Sequence, residues 1–282
     1  MKLSIIHTDG AANEISLFPT KDKEAPLIII SPAMGVRASY YEVLAKQFAD
    51  QGFNACTIDY RGTGASSLRA SRKVNFGYED LIRDLKEVVA KLREEFPSNK
   101  MVLLGHSLGG QIGGVALSRY PGMLDGLVLI ASCMVYWKGW EDAGSGRVKL
   151  VVNLFPIIAK LVGYFPGKQV GFGGREARTV MRDWGINGTK GIYQPTGSTF
   201  DYEEALKKFS TPVLAMSLEG DSFAPQNAVG RLVSKLGPDS QNKKYRHISA
   251  QEAGMEKLTH FNWAKEPGFF VKTVGEWVED LG

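Results

Sequence analysis

Short, continuous apolar runs dominate the first half of the chain. Leu27–Ser31 (LIIIS) and residues 54–59, 101–105 and 127–131 carry β-branched or leucine side chains with little alternation, the pattern of strands covered on both faces. Segments of helical period lie between them. Over Tyr78–Glu95 the apolar residues Leu81, Ile82, Leu85, Val88, Val89 and Leu92 recur at spacings that keep one face apolar, and residues 40–50 read as a helix ending at Gly52. Two shorter candidates, residues 3–7 and 14–18, flank the turn Thr8-Asp9-Gly10 and predict an N-terminal hairpin. Strands alternating with helices predict an α/β fold with a mostly parallel central sheet flanked by helices.

This rhythm breaks between residues 134 and 209, where Phe155, Phe172, Trp184 and other aromatic residues sit among many glycines. The stretch reads as an inserted cap, or lid, with residues 1–133 and 210–282 forming the core. Strand and helix signals resume at 213–217, 226–236, 244–248 and 267–281.

With 282 residues, 44% of them hydrophobic, the chain can bury a sizeable core as one large domain or two small ones. A net charge of +4 without a long basic run gives no reason to expect nucleic acid as a partner. Cys56 and Cys133 lie in strand-like runs and are expected as buried thiols rather than a disulfide, which suits a cytoplasmic protein. The N-terminus has no apolar block of signal-peptide type. The nearest approach to a membrane span, residues 148–165, carries Lys149, Asn153 and Lys160 and is interrupted by Pro156, so no transmembrane segment is expected.

The chemistry concentrates in residues 101–114, MVLLGHSLGGQIGG. Here a predicted strand runs into Gly105-x-Ser107-x-Gly109, and a predicted helix follows. This is the spacing of a nucleophile elbow: a sharp strand-to-helix turn holds the serine at its apex, and glycines on either side let strand and helix pass closely. The new helix points free N–H groups at any oxyanion formed there.

In these residues the chain resembles a serine hydrolase of the alpha/beta-hydrolase superfamily. Its PAMG segment (residues 32–35) and the segments YFPGK, GFGGRE and MRDW resemble a bacterial branch related to the lysophospholipase and serine-aminopeptidase-like group. The resemblance implies the chain order serine, acid, histidine. Leu258-Thr259-His260-Phe261 is similar to the family's terminal His-Phe segment and implies His260 as the base, with His247, inside a predicted strand, as its rival. Leu218-Glu219-Gly220-Asp221 resembles the acid loop and implies Asp221, with Glu219 as the rival. Matching the loop after the third strand implies backbone donors for an oxyanion at Met34 and Leu108. The D-x-R-G-x-G-x-S segment from Asp59 to Ser66 implies a structural loop rather than a phosphate cradle.

Tyr136, Trp137 and Trp140 follow the strand next to the elbow and are expected to face Ser107 as substrate-binding residues. The resemblance implies no metal and no cofactor. The expected partner is a small apolar ester or related acyl compound. An amidase, lactonase, thioesterase or acyltransferase would use the same three residues, and a ligand receptor of this fold would retain them without turnover.

Overall fold

A computed structural model of the chain describes residues 1–237 and 242–281. The hairpin forms as β1 (Lys2–Ile6) and β2 (Ala12–Phe18), closed by Asp9, whose carboxylate accepts the Ala11 N–H at 3.1 Å, and by Gly10 at φ 83°. There follow β3 (Leu27–Ser31), α1 (Glu42–Asp50), β4 (Asn54–Ile58), α2 (Tyr78–Glu95), β5 (Met101–His106), α3 (Leu108–Arg119) and β6 (Gly126–Ile130). The segment expected as a cap holds α4 (Asp142–Val162), β7 (Tyr164–Pro166), α5 (Gly167–Val170), β8 (Arg175–Ala177) and α6 (Arg178–Lys190). The chain then continues through α7 (Tyr202–Lys207), β9 (Val213–Leu218), α8 (Gln226–Lys235), β10 (Lys243–Ile248) and α9 (Gly268–Glu279).

Eight strands make one sheet in the order β1-β2-β4-β3-β5-β6-β9-β10. β2 is antiparallel to both β1 and β4, and every other pairing is parallel. The apolar runs are explained by burial: every residue of β3, β4, β5, β6 and β9 is buried, whereas the edge strand β10 buries only Ile248. From β3 the chain moves outward to β4 and then returns to the other side of β3 as β5. Strand order therefore reverses between β3 and β5, and the crevice beyond their C-terminal ends is where open α/β sheets hold ligands.

Ser31 ends β3 and Ser107 follows β5, so both border that crevice. The loop after β4 is fixed by ionic contacts rather than by a helix. Asp59 accepts the Ala38 N–H at 2.8 Å and the Ala65 N–H at 3.0 Å, and a side chain at Gly64 would collide with its carboxylate. Buried Arg61 donates to both oxygens of buried Asp84 and also pairs with Asp9. These contacts tie the loop to α2 and to the N-terminal hairpin.

β7 and β8 form a separate antiparallel hairpin whose far end leads back over the crevice. α4 lies against α6 at close range: added Cβ atoms at Gly185 and Gly188 would stand 2.5 Å from Pro156 and 2.4 Å from Val152. Among the described residues, no helix is long and apolar enough to cross a membrane.

Removing Arg61 leaves the Asp84 carboxylate buried without its partner, a change that costs about 3–5 kcal/mol. Arg61→Met is therefore expected to lose stability on that scale in urea unfolding, and a second change, Asp84→Leu, is expected to restore part of it. A single variant within about 0.5 kcal/mol of wild type refutes this account of the loop.

Candidate active site

Three chain segments cross at the end of β5 with no room for side chains. A Cβ on Gly105 would lie 2.3 Å from the Gly110 nitrogen, one on Gly109 would lie 2.2 Å from the Ser31 carbonyl oxygen, and one on Gly110 would lie 2.2 Å from Ser132 Oγ. This crossing forces Ser107 to φ 54°, ψ −114°, a conformation that a residue with a Cβ rarely adopts. Ser107 is half-buried and stands immediately before the first turn of α3, whose leading amides have no acceptor inside the helix.

His260 and Asp221 come from the loops after β10 and β9. Asp221 Oδ2 accepts a hydrogen bond from His260 Nδ1 at 2.7 Å. Its other oxygen accepts the Phe223 and Ala224 N–H groups at 2.8 and 2.9 Å. These donors fix a carboxylate whose side chain is wholly buried. Because the carboxylate can only accept, Nδ1 carries the proton and Nε2 is left as the imidazole's acceptor. The ring is enclosed by Phe223, Phe261 and His106, with centroids 5.3, 4.7 and 4.8 Å away.

His106 turns away from the cavity into the core, where Nδ1 meets Tyr41 Oη at 2.7 Å, and that hydroxyl accepts the Ala33 N–H at 3.0 Å. Burial, and then the proximity of His260, hold the His106 imidazole well below its ordinary pKa. The contact through Tyr41 also fixes the loop after β3, occupying the Ala33 amide and leaving the next one, Met34, free. Among the described residues, neither the Met34 nor the Leu108 N–H donates to any acceptor.

Ser107, His260, Met34 and Leu108 line one small cavity of about 90 Å³. Its remaining walls include Ala33, Cys133, Val135, Phe172, Trp184, Phe223 and Phe261, and it is apolar apart from Ser107, His260 and Gln111. Cys133 is a free buried thiol whose pKa is pushed up by burial, which makes it a poor nucleophile. Gln111 lies one helical turn beyond Ser107, and its Oε1 is buried without a hydrogen-bond partner. The turn between β7 and β8 closes the cavity. A Cβ on Gly35 would lie 2.1 Å from the Gly174 nitrogen, so this turn rests directly on the loop carrying Met34.

The structure does not bring Tyr136, Trp137 or Trp140 to this cavity, contrary to expectation. After β6 the chain is drawn toward α8: Met134 N–H donates to the Ala228 carbonyl at 3.1 Å, and Gly139 packs against Ala228. Tyr136 therefore faces a separate open depression beside α8, Trp137 lies against Lys149, and the Trp140 indole donates to the Ser222 carbonyl at 3.1 Å. The aromatic walls are instead Phe172 and Trp184 from the segment between β6 and β9, with Phe223 and Phe261 from the loops after β9 and β10. Their local signals were the Gly-Phe-Gly-Gly stretch and the His-Phe pair. Gln111 carried no signal at all. Of the rivals, His247 is exposed on β10 and bonds Ser217 at 2.9 Å, and Glu219 accepts the Ala250 N–H at 2.8 Å.

A second polar cluster, His7, Asp84 and Glu87, has ligand-type atoms within 4.8 Å of one another. Asp84 already neutralises Arg61, and Glu87 binds His7 and Thr8 at 2.6 Å, so the cluster is occupied by the protein's own groups.

A family model described as serine aminopeptidase, S33, matches residues 22–178. A 2-(acetamidomethylene)succinate hydrolase of Mesorhizobium japonicum is 24% identical over 236 residues, covering 80% of this chain and 81% of that one. The monoglyceride lipase of Homo sapiens is 31% identical over 113 residues, 40% of this chain and 36% of its own. Among solved structures, an esterase from Exiguobacterium antarcticum superposes with a TM-score of 0.66 at 16% identity, covering 99% of this chain and all of that one. Its likeness is one of fold.

The depressed pKa of His106 fixes the sign of one pH effect. The unfolded chain takes up a proton near the ordinary histidine pKa while the folded site refuses it, so His106 supports stability above about pH 6.5 and opposes it below. Stability measured by urea unfolding is expected to rise from pH 5 to pH 7, and His106→Gln is expected to reduce that slope. An unchanged slope in the variant overturns the assignment.

Proposed function

The chain belongs to the serine aminopeptidase, S33, family within the alpha/beta-hydrolase superfamily, and on that premise we propose that it cleaves small carboxylic esters with an apolar acyl or alcohol part through an acyl-serine intermediate. In this reading His260 Nε2 takes the proton of Ser107 Oγ as that oxygen attacks the ester carbonyl. The Met34 and Leu108 amides stabilise the oxyanion. The tetrahedral intermediate collapses, the carbon–oxygen bond to the alcohol breaks, and His260 returns the proton to the departing alkoxide. Water then attacks the acyl-serine, giving its proton to His260, and the acid leaves as Ser107 is regenerated. Asp221 keeps Nδ1 protonated and stabilises the imidazolium formed twice in each cycle.

The observation that carries this reading is the company Ser107 keeps. One apolar cavity holds the strained serine, an imidazole whose other nitrogen is engaged by a buried carboxylate, and two amides that lack acceptors. The apolar walls favour an apolar substrate over a charged one. The cavity's 90 Å³ is smaller than the roughly 300 Å³ and upward of small-molecule sites. We therefore assign residues 134–209 the role of a cap that withdraws to admit substrate, with Phe172 and Trp184 as substrate contacts. The monoglyceride lipase and the 2-(acetamidomethylene)succinate hydrolase among the chain's relatives support a hydrolytic reaction of this kind.

A chain-length panel of aryl esters tests the proposal. Ser107→Ala is expected to lower kcat at least about 10³-fold, and Asp221→Asn by about 10⁴-fold, the effect of a mis-set tautomer in a triad of this kind. A fluorophosphonate is expected to modify Ser107 alone. Ester hydrolysis that persists in Ser107→Ala refutes the mechanism.

A further inference from the structure

The stretch that came nearest to a membrane span in the sequence folds as α4, and its outer face is apolar. Leu150, Leu154, Ile157 and Leu161 are 64%, 42%, 53% and 72% exposed. Their spacings of four, three and four place them in one stripe along the helix, within about 30° of a common line at 3.6 residues per turn. On the same wheel, Lys149 and Lys160 fall on one shoulder of the stripe and Arg147 on the other, all three exposed. Lys168 and Val170, in the short helix α5 that follows β7, are exposed as well. Between residues 143 and 175 there are five basic residues (Arg147, Lys149, Lys160, Lys168 and Arg175) and no acidic one.

We propose that this face of α4 docks the protein on an anionic phospholipid surface. A helix with a leucine-rich stripe between basic shoulders lies in the bilayer interface, its stripe among the acyl chains and its cations at the headgroups. Charge decides against a second copy as occupant. Two-fold pairing would set the stripe against itself and bring basic shoulders together, with acids only at the segment's ends (Glu141, Asp142 and Glu176) to set against five cations. Four side chains also supply well under the roughly 800 Å² per partner of a stable dimer.

The inner face of the same helix reaches the candidate active site. Phe155 stacks with Trp184 and meets Phe172, at centroid distances of 6.2 and 5.5 Å, and both partners wall the cavity beside Ser107. Docking therefore places the cavity next to the lipid phase, whether or not the ester reading of the site holds.

Flotation with vesicles tests the docking without any turnover. The full chain is expected to float with phosphatidylglycerol–phosphatidylcholine vesicles, to float at least about tenfold less with pure phosphatidylcholine, and to be released by 0.5 M salt to a comparable extent (about tenfold). The double variant Leu154→Glu/Leu161→Glu is expected to lose vesicle binding at least tenfold while its circular dichroism and Tm stay those of wild type. Lys149→Gln/Lys160→Gln is expected to lose only the preference for anionic vesicles. Equal flotation of wild type and the glutamate variant overturns the proposal. So does a stable dimer in gel filtration that this variant converts to monomer.

Discussion

The close crossing of Gly105, Gly109 and Gly110 with the Ser31 backbone and the Ser132 side chain is the constraint on which the site depends. It holds Ser107 in a conformation costing about 1–3 kcal/mol, which persists only because its surroundings leave no alternative. Those surroundings are the buried strands β3, β5 and β6, in register through Ser31 opposite Gly105 and His106 opposite Ile130. A sheet able to shift by one residue would relax the serine and lose its exposure. The buried core therefore serves the chemistry directly, through register.

The same crossing sets what surrounds the serine. With Gly109 seated on the Ser31 carbonyl, the loop after β3 comes beside the first turn of α3, and two unengaged amides converge at the cavity. His106, on the far side of the elbow, links the two loops. Its ring holds Tyr41, which holds Ala33, and its face packs against His260. The residue beside Ser107 is thus a buried positioning element for the loop and for His260.

Legibility followed the locality of the physics. Leu27–Ser31 and Tyr78–Glu95 were readable to the residue because burial on two faces, or on one helical face, leaves a periodic trace in the chain. Ser107 was readable because a steric crossing demands glycines at fixed offsets. Asp221 and His260 carry no periodic signal, and only their resemblance to known loops pointed to them. Tyr136, Trp137 and Trp140 show where such reading stops. In sequence they follow β6, the neighbour of the elbow strand, but contacts of Met134 and Gly139 with Ala228 draw that turn toward α8. Aromatic residues announce burial without saying against what.

At the cavity the turn between β7 and β8 meets the loop carrying Met34 through closely apposed glycine backbone. Gly35 faces Gly174, and Gly171 and Gly173 line the cavity on either side of Phe172, both at left-handed φ near 70°. Contacts between glycines bury little apolar area, so separating them costs far less than unpacking a leucine core. In the proposed opening the turn is thus the least expensive place for the cavity to part, whereas α4 and α6, interlocked through Pro156 and Val152 against Gly185 and Gly188, would travel as one piece. A cavity sealed by small residues beneath a rigid aromatic pair can exclude water when closed without being hard to open. That combination suits the acyl-enzyme proposed for this site, which would need dryness while it forms and water once it has formed.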